Sequence, residues 1–427
     1  MKKLFIFLLF FLWGQQCLSA SIIRDTEIEN ALTSYVKKIF EAVELPPENA
    51  EVVLINDSSI NAFVAGGQTI FIHTGLITNS KSVDDLIFVL SHETGHIVGG
   101  HITRGMVAYE KSQATALIST IFGGLLAVVS GRPDAGIAIM MGSQSSALGS
   151  FSSYRQTEES SADRIAVDIM KKLGYSMQGF LNVMEKIQAQ ERLNASEELG
   201  YLRTHPMTQD RRQNIQRFTQ NTPSVRQDET FSRIQAKLAG FLWPTKETYS
   251  KFNGNSDNDI YARAIADYRD HKTEKALSSL STLIQKEKNN PYLYELKGQF
   301  EFETGQLDKA ISDYEEAVRL APEAPLIRIS CAQSLLERGH SPDLEKALIH
   351  LNHAALKEAD SPLLWQLMAG VYDRQNKTAF AHCAMAEYYL SLNKKDLAQK
   401  TAQKALDSLP QNTPCFARMQ DILDLKD

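Results

Sequence analysis

The sequence HETGH at positions 92–96 places two histidines one helical turn apart. In a helix, His92 and His96 project from the same face, where their imidazoles can hold one metal ion. Glu93 is rotated by about 100° from His92, so its carboxylate can take a proton from a water on the metal. Zinc takes such nitrogen ligands, and a catalytic zinc site keeps one position open for water. The pattern also occurs by chance on surface helices, so the surrounding sequence must decide between the two readings.

A helix is expected to carry these residues into a core. Residues 82–85 form a capping-box pattern ahead of an apolar run, which predicts a helix that begins near Val83. His101 follows His92 by nine residues, whereas proteases with the HExxHxxGxxH pattern have their third histidine at ten, where this chain has Ile102. We therefore interpret His101 as a packing residue or a group behind a metal ligand, and the third ligand must come from elsewhere.

An acidic stretch opens a second predicted helix. Glu158 and Glu159 precede a series of apolar positions, and Gly174 suits the end of that helix. A carboxylate on a second helix can complete a site of two histidines and one glutamate, and on chemistry alone either glutamate could serve. Asp163 lies one turn after Glu159 and can hydrogen-bond a ligand imidazole. The alternative is an ordinary solvated acidic face.

Three short β-branched or apolar runs precede the histidines, at residues 51–55, 61–65 and 69–73. Gly66 and Gly67 supply a turn between the last two, which predicts a small antiparallel sheet with a hairpin. An edge strand of such a sheet can pair with an extended peptide, as in many peptide-binding proteins. A purely structural role for any one strand is the alternative.

Residues 112–150 are apolar and rich in Gly, Ala and Ser. Neither half offers twenty uninterrupted apolar residues, so a helical hairpin that covers the site is favoured over a membrane span. Peripheral contact with a membrane surface through 112–150 stays open as a second interpretation.

The first twenty residues have the pattern of a secretory signal peptide, with a basic start, a short apolar run and small residues before a cleavage point after Ser19 or Ala20. Its removal takes away Lys2 and Lys3 and changes the net charge from −6 to −8. No basic block suits a phosphate backbone, so nucleic acid is not expected as a partner.

Three cysteines remain after that removal: Cys331, Cys383 and Cys415. None of them has CxxC spacing. We interpret them as buried helix cysteines, because the sequence does not call for a disulfide framework.

The last 170 residues or so repeat themselves. Ala276 and Leu280 are followed 34 residues later by Ala310 and Tyr314, and further units follow around residues 347–354 and 398–410. This period matches the tetratricopeptide repeat, in which helix pairs stack into a solenoid with a concave groove for partner or client peptides. A structural cap on the preceding domain is the alternative role.

Several of these motifs together resemble the M48 metallopeptidases. The resemblance covers roughly residues 55–212 and includes Asn61-Ala62-Phe63, the HETGH motif, and a second motif Glu-x-x-x-Asp from Glu159 to Asp163. It implies that His92, His96 and Glu159 hold one zinc ion, that Glu93 is the catalytic base and that Asp163 supports a ligand from behind.

The resemblance also covers a later His-Pro segment with His205 and Arg211, and it includes one departure. His205 is expected near the site, with a role towards the metal, the oxyanion or regulation by a loop. The family usually has an arginine three residues before the third ligand, where this chain has Gln156. Which residue takes over the orienting role of that arginine is therefore left open.

Taken together, the sequence predicts an α+β chain: a zincin-like metallopeptidase domain, mostly helical with a small antiparallel sheet, followed by an all-α tetratricopeptide-repeat solenoid. The expected divisions are a signal peptide at 1–20, the peptidase domain at 21–218, a connecting segment with one helix at 219–258 and the repeats at 259–427.

The expected function is that of a zinc endopeptidase in the periplasm of a Gram-negative bacterium. By resemblance, it would cleave misfolded or stalled outer-membrane proteins, and the repeats would contact clients or the outer-membrane assembly machinery. The alternative is a chaperone-like assembly factor that binds unfolded clients with little or no proteolysis.

Overall fold

The computed structural model describes residues 21–65, 67–101, 156–193, 205, 209–218 and 223–425. The predicted signal peptide and the stretch 112–150 lie outside these residues. Among the helices that are described, none is long and apolar enough to span a membrane.

The N-terminal domain contains a four-stranded sheet with the order β1-β2-β4-β3. Its strands are β1 (Ser21–Ile23), β2 (Glu51–Asn56), β3 (Ala62–Ala65) and β4 (Thr69–His73). The predicted hairpin is present, since β3 and β4 pair antiparallel. The expectation of a wholly antiparallel sheet is wrong, because β2 pairs parallel with β4 and the sheet is mixed.

The physical reason for the mixed sheet is the matching of apolar faces. With β3 held on one side of β4 by the short turn, β2 takes the other side. The parallel register sets Leu54 beside Ile72, whose other neighbour is Ala62. All three side chains belong to the same buried core. Strand β1, which the sequence did not reveal, pairs antiparallel with the outer edge of β2.

Of the helices of this domain, the first three in chain order contact the strands, and the later three pack on other helices. The helices are α1 (Thr26–Ala42), α2 (Thr74–Asn79), α3 (Val83–Val98), α4 (Gln156–Leu173), α5 (Gln178–Leu193) and α6 (Gln209–Gln216). Helix α3 begins at Val83 as predicted. It crosses α4 so closely that a Cβ on Gly95 would lie 2.8 Å from the backbone of Ala162. The glycine of the HETGH motif therefore sets the distance between the two helices that carry the site.

Two further helices follow, α7 (Glu229–Leu242) and α8 (Thr245–Lys251). The prediction of one helix in the connecting segment is wrong: α7 corresponds to that helix, and α8 is a second one that follows after Trp243 and Pro244. Residues Phe231, Ile234 and Leu238 of α7 join the core of the N-terminal domain, whereas Ala236 joins the first core of the solenoid. This helix is thus packed on both sides.

The C-terminal part is an all-helical stack. Its helices are α9 (Asp257–Arg269), α10 (Thr273–Lys286), α11 (Pro291–Glu303), α12 (Leu307–Leu320), α13 (Pro325–Arg338), α14 (Ser341–Ala354), α15 (Pro362–Arg374), α16 (Thr378–Ser391), α17 (Lys395–Leu406) and α18 (Pro414–Leu423). The repeat alanines Ala276, Ala310, Ala347 and Ala398 are all fully buried. Small side chains at these positions let paired helices approach closely, which is what the period in the sequence predicts.

Cys383 and Cys415 form a disulfide between α16 and α18, with their Cα atoms 6.6 Å apart. The interpretation of both residues as unpaired helix cysteines is wrong. The two positions are 32 residues apart in sequence, and only the folding of α17 between them brings them together. Cys331 is buried and free, as expected.

The beginning of α1 contacts the solenoid through several polar side chains. Arg24 forms an ion pair with Glu358 at 2.7 Å, and Thr26 donates a hydrogen bond to Glu295 at 3.1 Å. Tyr261 donates a hydrogen bond to Glu27 at 2.8 Å. These contacts attach the N-terminal domain to two early helices of the stack, through Tyr261 and Glu295, and to the loop that carries Glu358.

Candidate metal centre

Helix α3 presents the two histidines of the HETGH motif to one point. The Nε2 atoms of His92 and His96 lie 3.1 Å apart, and both side chains are fully buried. The spacing of four residues puts them on the same face of α3, as the motif predicts. Two ring nitrogens at this distance need a shared proton or a shared cation, because their lone pairs would otherwise repel.

Helix α4 brings Glu159 to the same point. Its Oε2 lies 3.4 Å from His92 Nε2, and its Oε1 lies 3.4 Å from His96 Nε2. Glu159 is buried, whereas its neighbour Glu158 is half-buried. Of the two carboxylates that competed in the sequence, the fold therefore brings Glu159 to the histidines.

His205 is the fourth side chain of the group. Its Nδ1 lies 3.3 Å from His92 Nε2 and 3.1 Å from Glu159 Oε1. Its other ring nitrogen, Nε2, lies 3.4 Å from Glu93 Oε1. The side chain is fully buried, so it stands between the two histidines and the carboxylate of the expected base.

These four residues together could hold one metal ion, because one ligand atom from each lies within 4.8 Å of all the others. In a tetrahedral zinc site with metal–ligand distances of about 2.0–2.2 Å, neighbouring ligand atoms lie about 3.3–3.6 Å apart. The separations among the ring nitrogens and carboxylate oxygens given above run from 3.1 to 3.4 Å. The donor set of three imidazoles and one carboxylate is also one that zinc accepts.

Glu93 has an unusual environment. It is fully buried, and neither of its carboxylate oxygens has a hydrogen-bond partner among the described residues. Burial raises the pKa of Glu93 above its ordinary value. Burying a carboxylate without hydrogen bonds costs several kcal/mol or more. The burial of Glu93 beside this group of ligands therefore calls for a chemical explanation.

Asp163 lies behind His92, with its Oδ1 2.9 Å from His92 Nδ1. A carboxylate in this place holds the imidazole with Nε2 towards the metal and makes it a better ligand. Burial alone would lower the pKa of His92, but Asp163 and Glu159 outweigh it and raise the pKa to about 10. Burial lowers the pKa of His96 to about 3, since it has no such carboxylate behind it.

His101 lies behind His96, with the two Nδ1 atoms 2.8 Å apart. This agrees with the interpretation of His101 as a group that backs a ligand. A Cβ on Gly99 would lie 2.3 Å from His101 Nε2. The glycine at position 99 therefore makes the space in which this second imidazole sits.

Arg211 is the residue whose contribution the sequence did not reveal. Its guanidinium forms ion pairs with Glu159 Oε2 at 2.7 Å and with Asp163 Oδ2 at 2.6 Å. In the sequence, Arg211 stood out only by its place after the His-Pro segment, and that place does not predict its contacts. Gln156 is the first residue of α4, and its side chain lies outside the described residues.

Comparisons with known proteins agree with this geometry. Residues 27–219 match the Peptidase family M48, and residues 291–323 match a tetratricopeptide repeat. The chain is 25% identical over 409 residues to the beta-barrel assembly-enhancing protease of Escherichia coli, covering 92% of this chain and 82% of that protein. It is 24% identical over 191 residues to Metalloprotease LoiP of Escherichia coli, covering 45% of this chain and 70% of that protein.

The region 27–219 is therefore a zinc metallopeptidase domain of family M48, and a tetratricopeptide repeat lies in the helical stack behind it. The predicted family, the repeat and the use of one zinc ion are confirmed. The role of each side chain in the site stays a prediction.

Proposed function

We propose that this chain is a periplasmic zinc endopeptidase that cleaves misfolded or stalled outer-membrane proteins. The supporting observation is the convergence of His92, His96, Glu159 and His205 on one point beside the buried carboxylate of Glu93. We also keep the predicted division into a signal peptide at 1–20, a peptidase domain at 21–218, a connecting segment at 219–258 and repeats at 259–427.

In this proposal His92, His96 and Glu159 hold the zinc ion. Zinc, when bound, would polarise the scissile carbonyl and make an attacking water more acidic. Asp163 keeps the imidazole of His92 in the tautomer with a free Nε2, because it accepts the proton on Nδ1. His101 keeps His96 in the same tautomer, because the Nδ1 of its neutral ring accepts the proton on His96 Nδ1.

Glu93 is the general base. It accepts a proton from the attacking water and then delivers a proton to the leaving amine. Its raised pKa brings its basicity closer to neutral pH, where such a transfer is most efficient. The lack of a hydrogen bond to either carboxylate oxygen among the described residues also supports this role, with His205 Nε2 the nearby charged group at 3.4 Å.

His205 occupies the place that a water or a substrate carbonyl would need. Its Nδ1 is as close to His92 and Glu159 as these two are to each other, and its Nε2 faces Glu93. We infer that this arrangement is a resting state, in which His205 completes the ligand set and blocks the general base. Cleavage then requires that His205 moves away. Of the roles predicted for His205, this arrangement supports the regulatory one.

The sheet offers a way to hold an unfolded substrate. Among the described strands β3 (Ala62–Ala65) is the last of the sheet on one side, and it packs against α3. An extended peptide added along β3 would lie beside the helix that carries His92 and His96. Such backbone pairing accepts many sequences, which suits a protease for misfolded clients.

The proposed substrate class rests on the relatives. The protein with the long match is named for beta-barrel assembly in Escherichia coli. Applied to this chain, the name supports a role on outer-membrane proteins, with the repeats as the surface for clients or assembly partners. The alternative, a chaperone-like factor with little proteolysis, is favoured by one observation, namely that His205 fills the site.

The test is the cleavage of an unfolded outer-membrane barrel protein by the purified mature chain, with its zinc content measured. The variants are Glu93→Gln, His205→Ala and, as a matched control, His340→Ala, whose imidazole is 69% exposed in the solenoid. We expect about one zinc per chain in the wild type. Glu93→Gln should keep zinc and lose at least 100-fold in rate, as expected for general-base loss.

His205→Ala should cleave faster than the wild type, and His340→Ala should not differ from it. A chelator should abolish cleavage by every variant. If the wild type and His205→Ala both bind zinc and the client but neither cleaves it, the chaperone-like alternative is correct. Cleavage by Glu93→Gln at the wild-type rate would show that the general base is another group.

A further inference from the structure

The guanidinium of Arg211 lies between two carboxylates of one helix. Its Nη1 is 2.7 Å from Glu159 Oε2. Its Nε and Nη2 donate hydrogen bonds to the two oxygens of Asp163, at 2.6 and 2.8 Å. All three side chains are buried, with Arg211 only 2% exposed. One planar cation therefore contacts three of the four carboxylate oxygens of this pair.

Each of these carboxylates has a second partner at the metal centre. Glu159 faces the Nε2 atoms of His92 and His96. Asp163 lies 2.9 Å from His92 Nδ1. The position of Arg211 thus fixes two things at once: the rotation of the Glu159 carboxylate about its own axis, and the orientation of the His92 ring through Asp163.

Charge alone does not account for this arrangement. A lysine would supply the same charge, but its ammonium is a single point that cannot hold two carboxylates in fixed planes. Without the guanidinium fork, the Glu159 side chain regains its rotational freedom even where the positive charge is kept. The geometry of the ligand set then depends on the metal alone.

Arg211 lies on a different helix from the two carboxylates that it contacts. Glu159 and Asp163 belong to α4, whereas Arg211 belongs to α6 (Gln209–Gln216), six residues after His205. The helix that follows His205 is therefore attached directly to a proposed zinc ligand.

We propose that Arg211 is a positioning residue that holds Glu159 and, through Asp163, His92 in the geometry that zinc requires. The inference rests on the proposed function insofar as Glu159 and His92 are taken as ligands. It predicts that the fork of the guanidinium, and not merely its charge, determines the affinity and the symmetry of the metal site.

The test compares Arg211→Lys with Arg338→Lys in the full mature chain. Arg338 is a matched control, because its guanidinium also bridges two carboxylates, Asp343 and Asp308, but in the solenoid. The measurements are the zinc dissociation constant by competition with a chelator, the visible absorption spectrum of the Co²⁺-loaded protein, and the unfolding temperature of the zinc-free protein.

Arg211→Lys should weaken zinc binding about 10- to 100-fold and shift the Co²⁺ absorption bands, while Arg338→Lys changes neither. The zinc-free unfolding temperatures of the two variants should be similar. The proposal is overturned if Arg211→Lys binds zinc within twofold of the wild type with an unchanged Co²⁺ spectrum. It is equally overturned if only the zinc-free stability falls.

The outcome can be separated from that of the proposed function. If the wild type binds zinc but cleaves nothing, the ratio of affinities and the Co²⁺ spectrum still test Arg211. If the wild type cleaves and Arg211→Lys behaves as the wild type in both metal measurements, the peptidase assignment stands and the role of Arg211 falls.

Discussion

The substitution Lys237→Met tests how the N-terminal domain and the solenoid are joined. Lys237 lies on α7 and is only 2% exposed. Its Nζ is 2.7 Å from Asp25 Oδ2 and 3.1 Å from Glu27 Oε2, and both acids belong to the beginning of α1. Glu27 in turn accepts a hydrogen bond from Tyr261 of the solenoid. One buried cation therefore connects three elements from both parts of the chain.

The expected loss follows from the burial. Methionine has nearly the same volume and fills the same space, so no cavity forms. The loss comes from the two carboxylates of Asp25 and Glu27, which stay partly or fully buried without their cation. Removing one partner from a buried ion pair costs about 3–5 kcal/mol. For a domain of this size that corresponds to a fall in unfolding temperature on the order of 10 °C.

The difference between variant and wild type should depend on pH. Burial lowers the pKa of Lys237, but the nearby negative charges, Asp25 first, outweigh it and raise the pKa well above its ordinary value. The stabilisation by Lys237 is therefore fully present at any pH below about 10. It is lost only as the pH rises further, through the raised pKa of Lys237 in the folded protein, so the difference should stay constant around neutral pH and shrink in alkaline solution.

The assay is chemical denaturation of the mature protein at several pH values, followed by circular dichroism. Lys346→Met is the control, because it removes an ion pair with Glu315 in which both side chains are exposed, and it should cost about 0–1 kcal/mol. The reasoning is refuted if Lys237→Met costs less than the control at pH 7.5, or if its cost falls with rising pH while the pH is still well below about 10.

Three further predictions concern other parts of the chain. Gly95→Ala should lower the zinc content and cost about 1–3 kcal/mol of stability, because the added Cβ would lie 2.8 Å from the backbone of Ala162. Zinc analysis would measure the metal content, and denaturation would measure the loss of stability. Cys383→Ser should make the C-terminal helix sensitive to limited proteolysis and cost about 2–4 kcal/mol. The denatured, unreduced wild type should show one thiol, that of Cys331, and three thiols would contradict the disulfide with Cys415. Burial raises the pKa of Glu295 to about 8, so the stability of the wild type should decline as the pH rises from about 4.5 to 8. Glu295→Gln should remove that decline in denaturation experiments. A pH profile of stability identical to that of the wild type would refute this role of Glu295.

The parts of the site that sequence could predict are those set by local periodicity. His92 and His96 face one point because a helix repeats every 3.6 residues, and the one-turn spacing of Glu159 and Asp163 is read in the same way. The choice between Glu158 and Glu159 came from the family resemblance, since both are equally good ligands on chemistry alone.

The features that the sequence did not reveal all join distant parts of the chain. The parallel pairing of β2 with β4 depends on which faces meet in the core, and the disulfide joins residues 32 positions apart. The contacts of Arg211 depend on the packing of α6 against α4. No periodicity within one segment carries such information, because it is fixed only when the segments pack.

A balance of buried charge connects the site to the need for a metal. Glu93, Glu159 and Asp163 are all buried, and among the described residues Arg211 is the one guanidinium that contacts this group. Three ionised carboxylates and one guanidinium leave two negative charges, and in the metal-free protein the raised pKa values of His92 and Glu93 let protons offset these charges. Burying two uncompensated charges is far more costly than the whole stability of a typical domain. A divalent cation at the point where His92, His96 and Glu159 converge would cancel both charges in place of those protons, so metal binding at this buried acidic site is coupled to the release of protons.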